Sequence, residues 1–269
     1  MKDAGLAVVT GASSGIGAAF ARELAADGRP VLLVSRSGDR LEALASGLNA
    51  GPGGRAEVLA ADLATPEGRD AVWNATEGAL RPVALLVNNA GFGLNGLETD
   101  LPFERVHALL ELNVVATAEL THRFLVAMKA RGAGAILNVS STSAFYPTPY
   151  FSLYGASKAF ILSFTEALHE EAKAFGVTVT CLCPGFTKTN FAAVAGMKEG
   201  KETPFPEMTP EAVAKIGLEA VRKKKAVVVT HPLDRAWILA GRFVPRSVPA
   251  KMGVRFFSKT KPPTPSKKS

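Results

Sequence analysis

The stretch Leu6-Ala7-Val8-Val9-Thr10-Gly11-Ala12-Ser13-Ser14-Gly15-Ile16-Gly17 decides how this chain folds. It opens on a short apolar run, passes through three glycines, and leads into a helical pattern over residues 18–26. A buried strand, a glycine turn and a helix start in that order aim backbone N–H groups and the positive helix end at a phosphate. Gly11 permits the tight turn, Gly15 the close approach of a pyrophosphate, and Gly17 the packing of helix on strand. The spacing is Gly-x-x-x-Gly-x-Gly, not the commoner Gly-x-Gly-x-x-Gly, so the dinucleotide fingerprint is met in context and not in letter.

Outward from this stretch, apolar and partly β-branched runs recur at residues 30–35, 56–61, 84–88, 135–140, 177–183 and 226–230, with helix-length segments between them. Short buried strands alternating with helices predict a parallel sheet covered on both faces. The expected fold is α/β: a single Rossmann-like, doubly wound domain with a seven-stranded parallel sheet of order 3-2-1-4-5-6-7 and helices on both faces. Right-handed crossovers bring every strand's C-terminal end to one rim, where ligands bind in such sheets. The polar and glycine-bearing positions gather there: Thr10 to Gly17, Arg36, Asp62, Asn88-Asn89-Ala90-Gly91, Ser140-Ser141 and Pro184-Gly185 each follow a strand.

A second stretch, Tyr154-Gly155-Ala156-Ser157-Lys158, puts a tyrosine and a lysine four residues apart on one helix face. A phenol of pKa ~10 works poorly as an acid or base at neutral pH until a cation stabilises its anion. Lys158 is the expected cation, and the pair on its own also fits an interface tyrosine beside a solvated lysine.

These two stretches, with Asn88-Asn89-Ala90-Gly91 and Ser141 between them, resemble the short-chain dehydrogenase/reductase family, in its NADP-preferring branch of chains about this long. The resemblance runs from about Leu6 to about Thr230. It implies hydride transfer between a nicotinamide and a carbonyl or alcohol, with Asn113, Ser141, Tyr154 and Lys158 as catalytic residues. Tyr154 would donate a proton to the oxygen on which charge grows, and act as base in the oxidising direction. The family's serine precedes its tyrosine by thirteen positions, which selects Ser141 over Ser140 as a second donor. Ordinary turn chemistry is the other reading of two serines at a strand end. Asn113 is a polar residue inside an apolar helix; the resemblance has it hold a water that joins Lys158 to solvent, and a buried structural amide is the alternative. Tyr146 and Tyr150 lack a lysine four positions on and are assigned to packing or the substrate pocket.

For the cofactor, the resemblance and the rim positions together assign Gly11, Ser13, Ser14, Gly15, Ile16 and Gly17 at the glycine turn, and Ser35 and Arg36 after the second strand. Asp62 and Leu63 would meet the adenine, Asn89, Ala90 and Gly91 would lie beside it, and Tyr154 and Lys158 are counted among the cofactor contacts as well. Pro184, Gly185, Thr187 and Thr189 would meet the nicotinamide end. Asp62 is equally a candidate helix N-cap. An acidic residue usually ends the second strand of a site that prefers NAD; here Val34-Ser35-Arg36-Ser37 offers a guanidinium able to grip a 2′-phosphate. NADP(H) is therefore expected over NAD(H), although Arg36 could also cap or solubilise the next helix. No metal is expected.

Composition sets outer bounds. At 269 residues with 47% hydrophobic and 20% charged residues the chain suits one soluble domain. The net charge of +7 is uneven: from Arg242 to Ser269 there are eight basic residues and no acidic one, leaving 23 basic against 24 acidic elsewhere. The body thus carries no nucleic-acid stripe. Cys181 and Cys183, two apart on a strand, read as buried free thiols in a reducing compartment. Met1-Lys2-Asp3 runs straight into the first strand and no apolar run reaches ~18 residues, so the expected location is cytoplasmic.

The expected organisation is a catalytic domain over residues 1–230 with a substrate loop at about 186–208, a C-terminal extension or lid over 231–257, and a basic, disordered tail over 258–269. Aromatic residues around the rim, among them Phe92, Phe145, Phe151, Phe186, Phe191 and Phe205, suggest an apolar carbonyl or alcohol substrate. The extension interleaves Trp237, Phe243, Val244 and Met252 with Arg and Lys. It reads either as a lid or as an element lying on an anionic bilayer. Helices over residues 103–129 and 152–175 are apolar around more than one face, which together with the resemblance implies a homodimer or homotetramer. The functional expectation is an NADPH-dependent reductase of apolar ketones. A 3-oxoacyl-thioester reductase is the rival within enzymes, and an NADP(H)-binding regulator the rival outside them.

Overall fold

The computed structural model describes residues 5–51, 54–197 and 206–258. Met1-Lys2-Asp3, Phe205 and the tail over 259–269 lie outside the described residues. The strands are β1 (Leu6–Thr10), β2 (Val31–Ser35), β3 (Ala56–Ala60), β4 (Val83–Asn88), β5 (Gly134–Val139), β6 (Val177–Cys183) and β7 (Val227–Val229). Helices α1 (Gly15–Ala26), α2 (Gly38–Asn49) and α3 (Pro66–Asn74) follow the first three strands. Between β4 and β5 stand α4 (Phe103–Leu110) and α5 (Ala116–Arg131), and between β5 and β6 stands α6 (Ser152–Lys173). The last four are α7 (Phe191–Val194), α8 (Pro210–Arg222), α9 (Pro232–Gly241) and α10 (Ser247–Ser258).

All seven strands pair in parallel in the order β3-β2-β1-β4-β5-β6-β7, as the sequence predicts. The period of two along each strand divides the core. Ala7 and Val9 of β1 join Leu33, Leu85 and Leu137 under α1, α2 and α8, whereas Leu6 and Val8 join Leu32, Leu86 and Ile136 under α3, α5 and α6. Phe20 anchors the first layer and Phe124 the second, both fully buried, each stabilising the fold by roughly 1.5–3 kcal/mol.

Helix starts are set by local chemistry. Thr65 caps α3 by accepting from the Gly68 N–H at 3.1 Å, with Pro66 next, and Thr209 caps α8 by accepting from Ala212 at 3.2 Å, with Pro210 next. Helix α1 differs: Ser14 stands at its N-cap in extended backbone and makes no side-chain capping bond.

One expectation is corrected. Residues 103–129 do not form a continuous α-helix; a π-helical turn, Glu111–Val115, separates α4 from α5 and carries Asn113. Such a turn adds a residue to the spiral and re-aims a side chain. Here it turns the buried Asn113 amide toward partners outside its own helix. Arg69 braces it from behind, with Nη1 donating to the Leu63 carbonyl at 3.0 Å and to Glu111 at 3.3 Å, and Nε donating to Glu119 at 2.6 Å.

The C-terminal helices touch the rim twice. Asp234, buried in the first turn of α9, packs against Gly185, and Gly253 of α10 sits so close to Pro149 that a Cβ there would come within 2.9 Å of its Cδ. Among the described residues no helix is long and apolar enough to cross a membrane.

Candidate active site

The glycine turn after β1 is tight for steric reasons. Gly11 and Gly15 have φ of +65° and +54°, the left-handed region that favours glycine. A Cβ at Gly11 would come within 2.9 Å of the Ala90 backbone, and one at Gly17 would run into the Gly11 carbonyl. Thr10, which the sequence reading left without a role of its own, ties the turn to the end of β4. Its hydroxyl donates to the Val87 carbonyl at 3.2 Å and accepts from Asn89 and Ala90 at 2.9 and 3.0 Å, while the Asn89 amide donates to the Thr10 carbonyl at 2.9 Å. The only hint was a buried threonine closing an otherwise apolar strand. Asn89 and Ala90 are thus held against Gly11, as the bridging reading of that segment expects. From the other side Thr189 closes on Gly15, its Cγ2 3.1 Å from where a Cβ would stand. Thr187 donates to the Gly185 carbonyl at 3.1 Å, and the Thr189 hydroxyl accepts from the Phe191 N–H at 3.2 Å. A helix start without a side-chain cap, lined by backbone that admits no Cβ, fits a pyrophosphate.

At the end of β2, Ser35 accepts from the Ser37 N–H at 3.2 Å, and Arg40 donates to the Ser37 hydroxyl at 2.5 Å. Arg36 is exposed, and among the described residues its guanidinium has no hydrogen-bond or ion-pair partner. Arg40 escaped the sequence reading; its place in the first turn of α2, four positions after Arg36, was the signal for it. After β3, Asp62 is not the cap of α3, which is Thr65; its carboxylate instead accepts from the Ala64 N–H at 3.1 Å.

Helix α6 brings Tyr154 and Lys158 to the rim beside the end of β5. Both are buried, at 7% and 4% exposure, which decides their proton affinities. Burial pushes Tyr154 up to about 12, against a hydrogen bond with Ser141 that pulls it down and the neighbouring Cys183 that pushes it further up. Burial pushes Lys158 down to about 8, with Cys181 and Cys183 opposing. The expected acidification of Tyr154 by Lys158 is therefore not the net result. The ammonium donates to the Val139 carbonyl at 2.9 Å and lies 5.7 Å from the tyrosine ring centroid, so desolvation of the phenol outweighs it.

Ser141 also accepts from the Ser143 N–H at 3.1 Å, whereas Ser140 turns away and donates to the Lys158 carbonyl at 2.7 Å. Thus Ser141 is the serine that meets Tyr154. Asn113 donates to the Phe92 carbonyl at 3.0 Å and to the Ser157 hydroxyl at 3.1 Å, and accepts from the Phe92 N–H at 3.1 Å. Ser157 in turn donates to the Tyr154 carbonyl at 2.7 Å. A Cβ on Gly91 would lie 3.0 Å from Asn113 Oδ1 and 3.4 Å from Lys158 Nζ, so glycine lets these two groups approach. Ser157 and Cys183 were not foreseen. Ser157 sits within the Tyr-to-Lys motif, and Cys183 closes the strand that passes behind it.

Beneath this site Asn138 donates to Thr165 of α6 at 3.0 Å and accepts from Asn88 and Thr121 at 2.9 and 3.2 Å, which fixes α6 and α5 on β4 and β5. Over it stand aromatic rings. The Tyr154 ring lies 4.5 Å from that of Phe151 and 5.3 Å from that of Phe191, and the last two meet edge to face at 6.4 Å. The loops after β4, β5 and β6 are knit together there: Asn95 donates to the Ala195 carbonyl and Gly96 to the Tyr150 carbonyl, both at 2.9 Å. Tyr150 holds φ +63°, a strained conformation for tyrosine. Tyr146 is hydrogen-bonded to Thr142 and lies beside Asp234, and burial pushes it up to about 12.

Comparison with known proteins agrees with this arrangement. The family model for short chain dehydrogenase matches residues 5–200. A very-long-chain 3-oxoacyl-CoA reductase from Anas platyrhynchos is 34% identical over 220 residues, spanning 80% of this chain and 69% of that protein. A short-chain dehydrogenase from Sphingobium yanoikuyae in complex with NADPH superimposes with a TM-score of 0.80 at 29% identity, covering 98% of both chains. A short-chain dehydrogenase/reductase from Burkholderia phymatum in complex with NAD superimposes with a TM-score of 0.79 at 27% identity, covering 88% of this chain and 92% of that one. With its seven-stranded parallel sheet, its glycine turn and a match over most of its length, this chain belongs to the short-chain dehydrogenase/reductase family, oxidoreductases that act on carbonyl and hydroxyl groups.

Proposed function

We propose that this protein is an NADPH-dependent carbonyl reductase, reversible as an alcohol dehydrogenase, for an apolar ketone, with Tyr154 as general acid and base. The observation that carries the reading is the buried Tyr154 hydroxyl hydrogen-bonded to Ser141, with Lys158 beside it and Phe151 and Phe191 against its ring. The nucleotide, when bound, supplies the hydride. Its pyrophosphate is assigned to Gly11, Ser13, Ser14, Gly15, Ile16 and Gly17, its adenine side to Asp62, Leu63, Asn89, Ala90 and Gly91, and its nicotinamide end to Pro184, Gly185, Thr187 and Thr189. The 2′-phosphate is assigned to Arg36 with Ser35, because the guanidinium is exposed and uncommitted where an acid would favour NAD.

Ser141 and Tyr154 both donate to the substrate oxygen, and these bonds strengthen as its charge grows. A phenol held near 12 stays protonated at neutral pH, yet it is still a stronger acid than an alcohol, so its proton moves readily to a forming alkoxide. Lys158, charged below about 8, stabilises the phenolate left behind. Asn113 uses one lone pair of Oδ1 on Phe92; the other, on the side of Gly91 and Lys158, suits a water that leads the replacement proton inward.

A 3-oxoacyl-thioester substrate is the second reading, favoured by the similarity to the very-long-chain 3-oxoacyl-CoA reductase. A regulator without turnover would have no use for Asn113, Ser141, Tyr154 and Lys158 together. The test is NADPH oxidation against apolar ketones, 3-oxoacyl thioesters and steroid ketones, with Tyr154→Phe as control. Turnover of at least one class, lowered about 10²- to 10⁴-fold by the substitution, is expected. A variant as fast as the parent overturns Tyr154 as the acid.

A further inference from the structure

Helices α9 and α10 and the segment joining them leave large apolar side chains in water. Phe243 is 83% exposed, Leu233 and Leu239 57% each, and Met252 46%. From Arg235 to Ser269 the sequence holds nine basic residues and no acidic one, and Arg235, Arg242, Arg246 and Lys251 are exposed among those apolar groups. Apolar side chains interleaved with cations are what the interface of an anionic bilayer accepts: the apolar groups enter the boundary of the acyl chains while the cations meet headgroup phosphates and carboxylates.

We propose that α9 and α10 dock this protein on an anionic lipid surface, with the substrate rim facing the bilayer. The two contacts already described supply the geometry. Asp234 of α9 packs against Gly185, and Gly253 of α10 against Pro149, two residues before the Phe151 whose ring packs on that of Tyr154. A surface that receives these helices therefore lies beside the apolar rings of the site. A second copy of this chain is a poorer occupant. In a two-fold contact the patch meets itself, bringing Arg242, Arg246 and Lys251 of each copy together, while the carboxylate of α9, Asp234, is buried and so poorly placed to offset them.

The experiment is flotation of the full chain with phosphatidylcholine vesicles, with and without about a third phosphatidylserine. The expected result is binding to the anionic vesicles alone, lost at about 1 M salt, where the screening length falls to about 3 Å. Each basic side chain near the surface is worth about fivefold in partition, so the double substitution R242S/R246S lowers binding about 25-fold. Phe243→Ser lowers it about tenfold or more. All three positions are exposed, and an unchanged melting temperature checks the fold of the variants. The comparison of the two vesicle types needs no variant, and it needs no turnover, so it stands or falls apart from the reductase reading. The proposal is overturned if neither vesicle type is bound, or if neutral and anionic vesicles bind alike and R242S/R246S changes nothing. It is equally overturned if Phe243→Ser abolishes self-association in sedimentation, which assigns the face to a second copy.

Discussion

On the proposed mechanism, the charge on Lys158 sets the pH range of carbonyl reduction. Burial brings its pKa from the 10.5 of a free side chain to about 8, roughly 3 kcal/mol against the charged form at 1.36 kcal/mol per pH unit. At pH 7 about ten ammonium forms stand to each neutral amine, and at pH 9 the ratio is reversed. Tyr154, pushed up to about 12, remains protonated throughout this interval and adds no break of its own. Since kcat/KM reports groups of the free enzyme, its value for ketone reduction is expected to be flat to pH 7.5 and to fall toward tenfold per unit above about 8. Lys158→Arg keeps a cation at every pH tested. Its rate should be lower, because the guanidinium does not fit the Val139 carbonyl as Nζ does, but its break near 8 should vanish. The assay is NADPH absorbance between pH 6 and 10.5, with nucleotide affinity measured at each pH. A flat wild-type profile, or the same break in Lys158→Arg, refutes the assignment of the charge to Lys158. The same shift has a consequence for stability. The unfolded chain binds the Lys158 proton between about 8 and 10.5 while the folded chain does not, so this group raises stability as pH climbs through that window.

Two further perturbations separate the cofactor assignment from the scaffold. Arg36→Ala should weaken NADP binding about 10- to 100-fold, the worth of charge-assisted hydrogen bonds, with NAD binding unchanged; calorimetry that finds both nucleotides equally affected, or neither, removes the assignment. Asn138→Ala strips partners from Asn88, Thr121 and Thr165 at a fully buried position. It should cost about 2–4 kcal/mol in urea unfolding, and a loss under ~1 kcal/mol would mean that water or repacking replaces the network.

Much of this was legible in the chain because it depends on neighbours in sequence. The period of two in β1, the glycines that follow it and the helical pattern after them specify a strand, a turn and a helix whatever surrounds them. The dinucleotide-binding arrangement then orders the strands β3-β2-β1-β4-β5-β6-β7, and right-handed crossovers bring their C-terminal ends to one rim. Tyr154 and Lys158 share a face because they are four apart on a helix, and Ser141 was selected by the family resemblance, in which the serine precedes the tyrosine by thirteen positions. Asn113 stood out as an amide among apolar residues, but its partners Phe92 and Ser157 lie 21 and 44 positions away, and no local pattern names them. Nor did any pattern foretell the π turn that aims it, since that turn forms where tertiary hydrogen bonds make up for a broken spiral.

The amino-acid sequence by itself determined the sheet, the glycine turn after β1 and which tyrosine and lysine share a face, since each follows from spacing and backbone sterics over a dozen residues. Only the tertiary structure decided how far each side chain is removed from water. That single quantity raises Tyr154 where proximity to Lys158 had suggested lowering it, holds Lys158 near neutrality, and leaves Phe243 exposed among arginines. Burial is a property of the whole packed chain, because it depends on groups that meet only after β4, β5, β6 and α6 have come together.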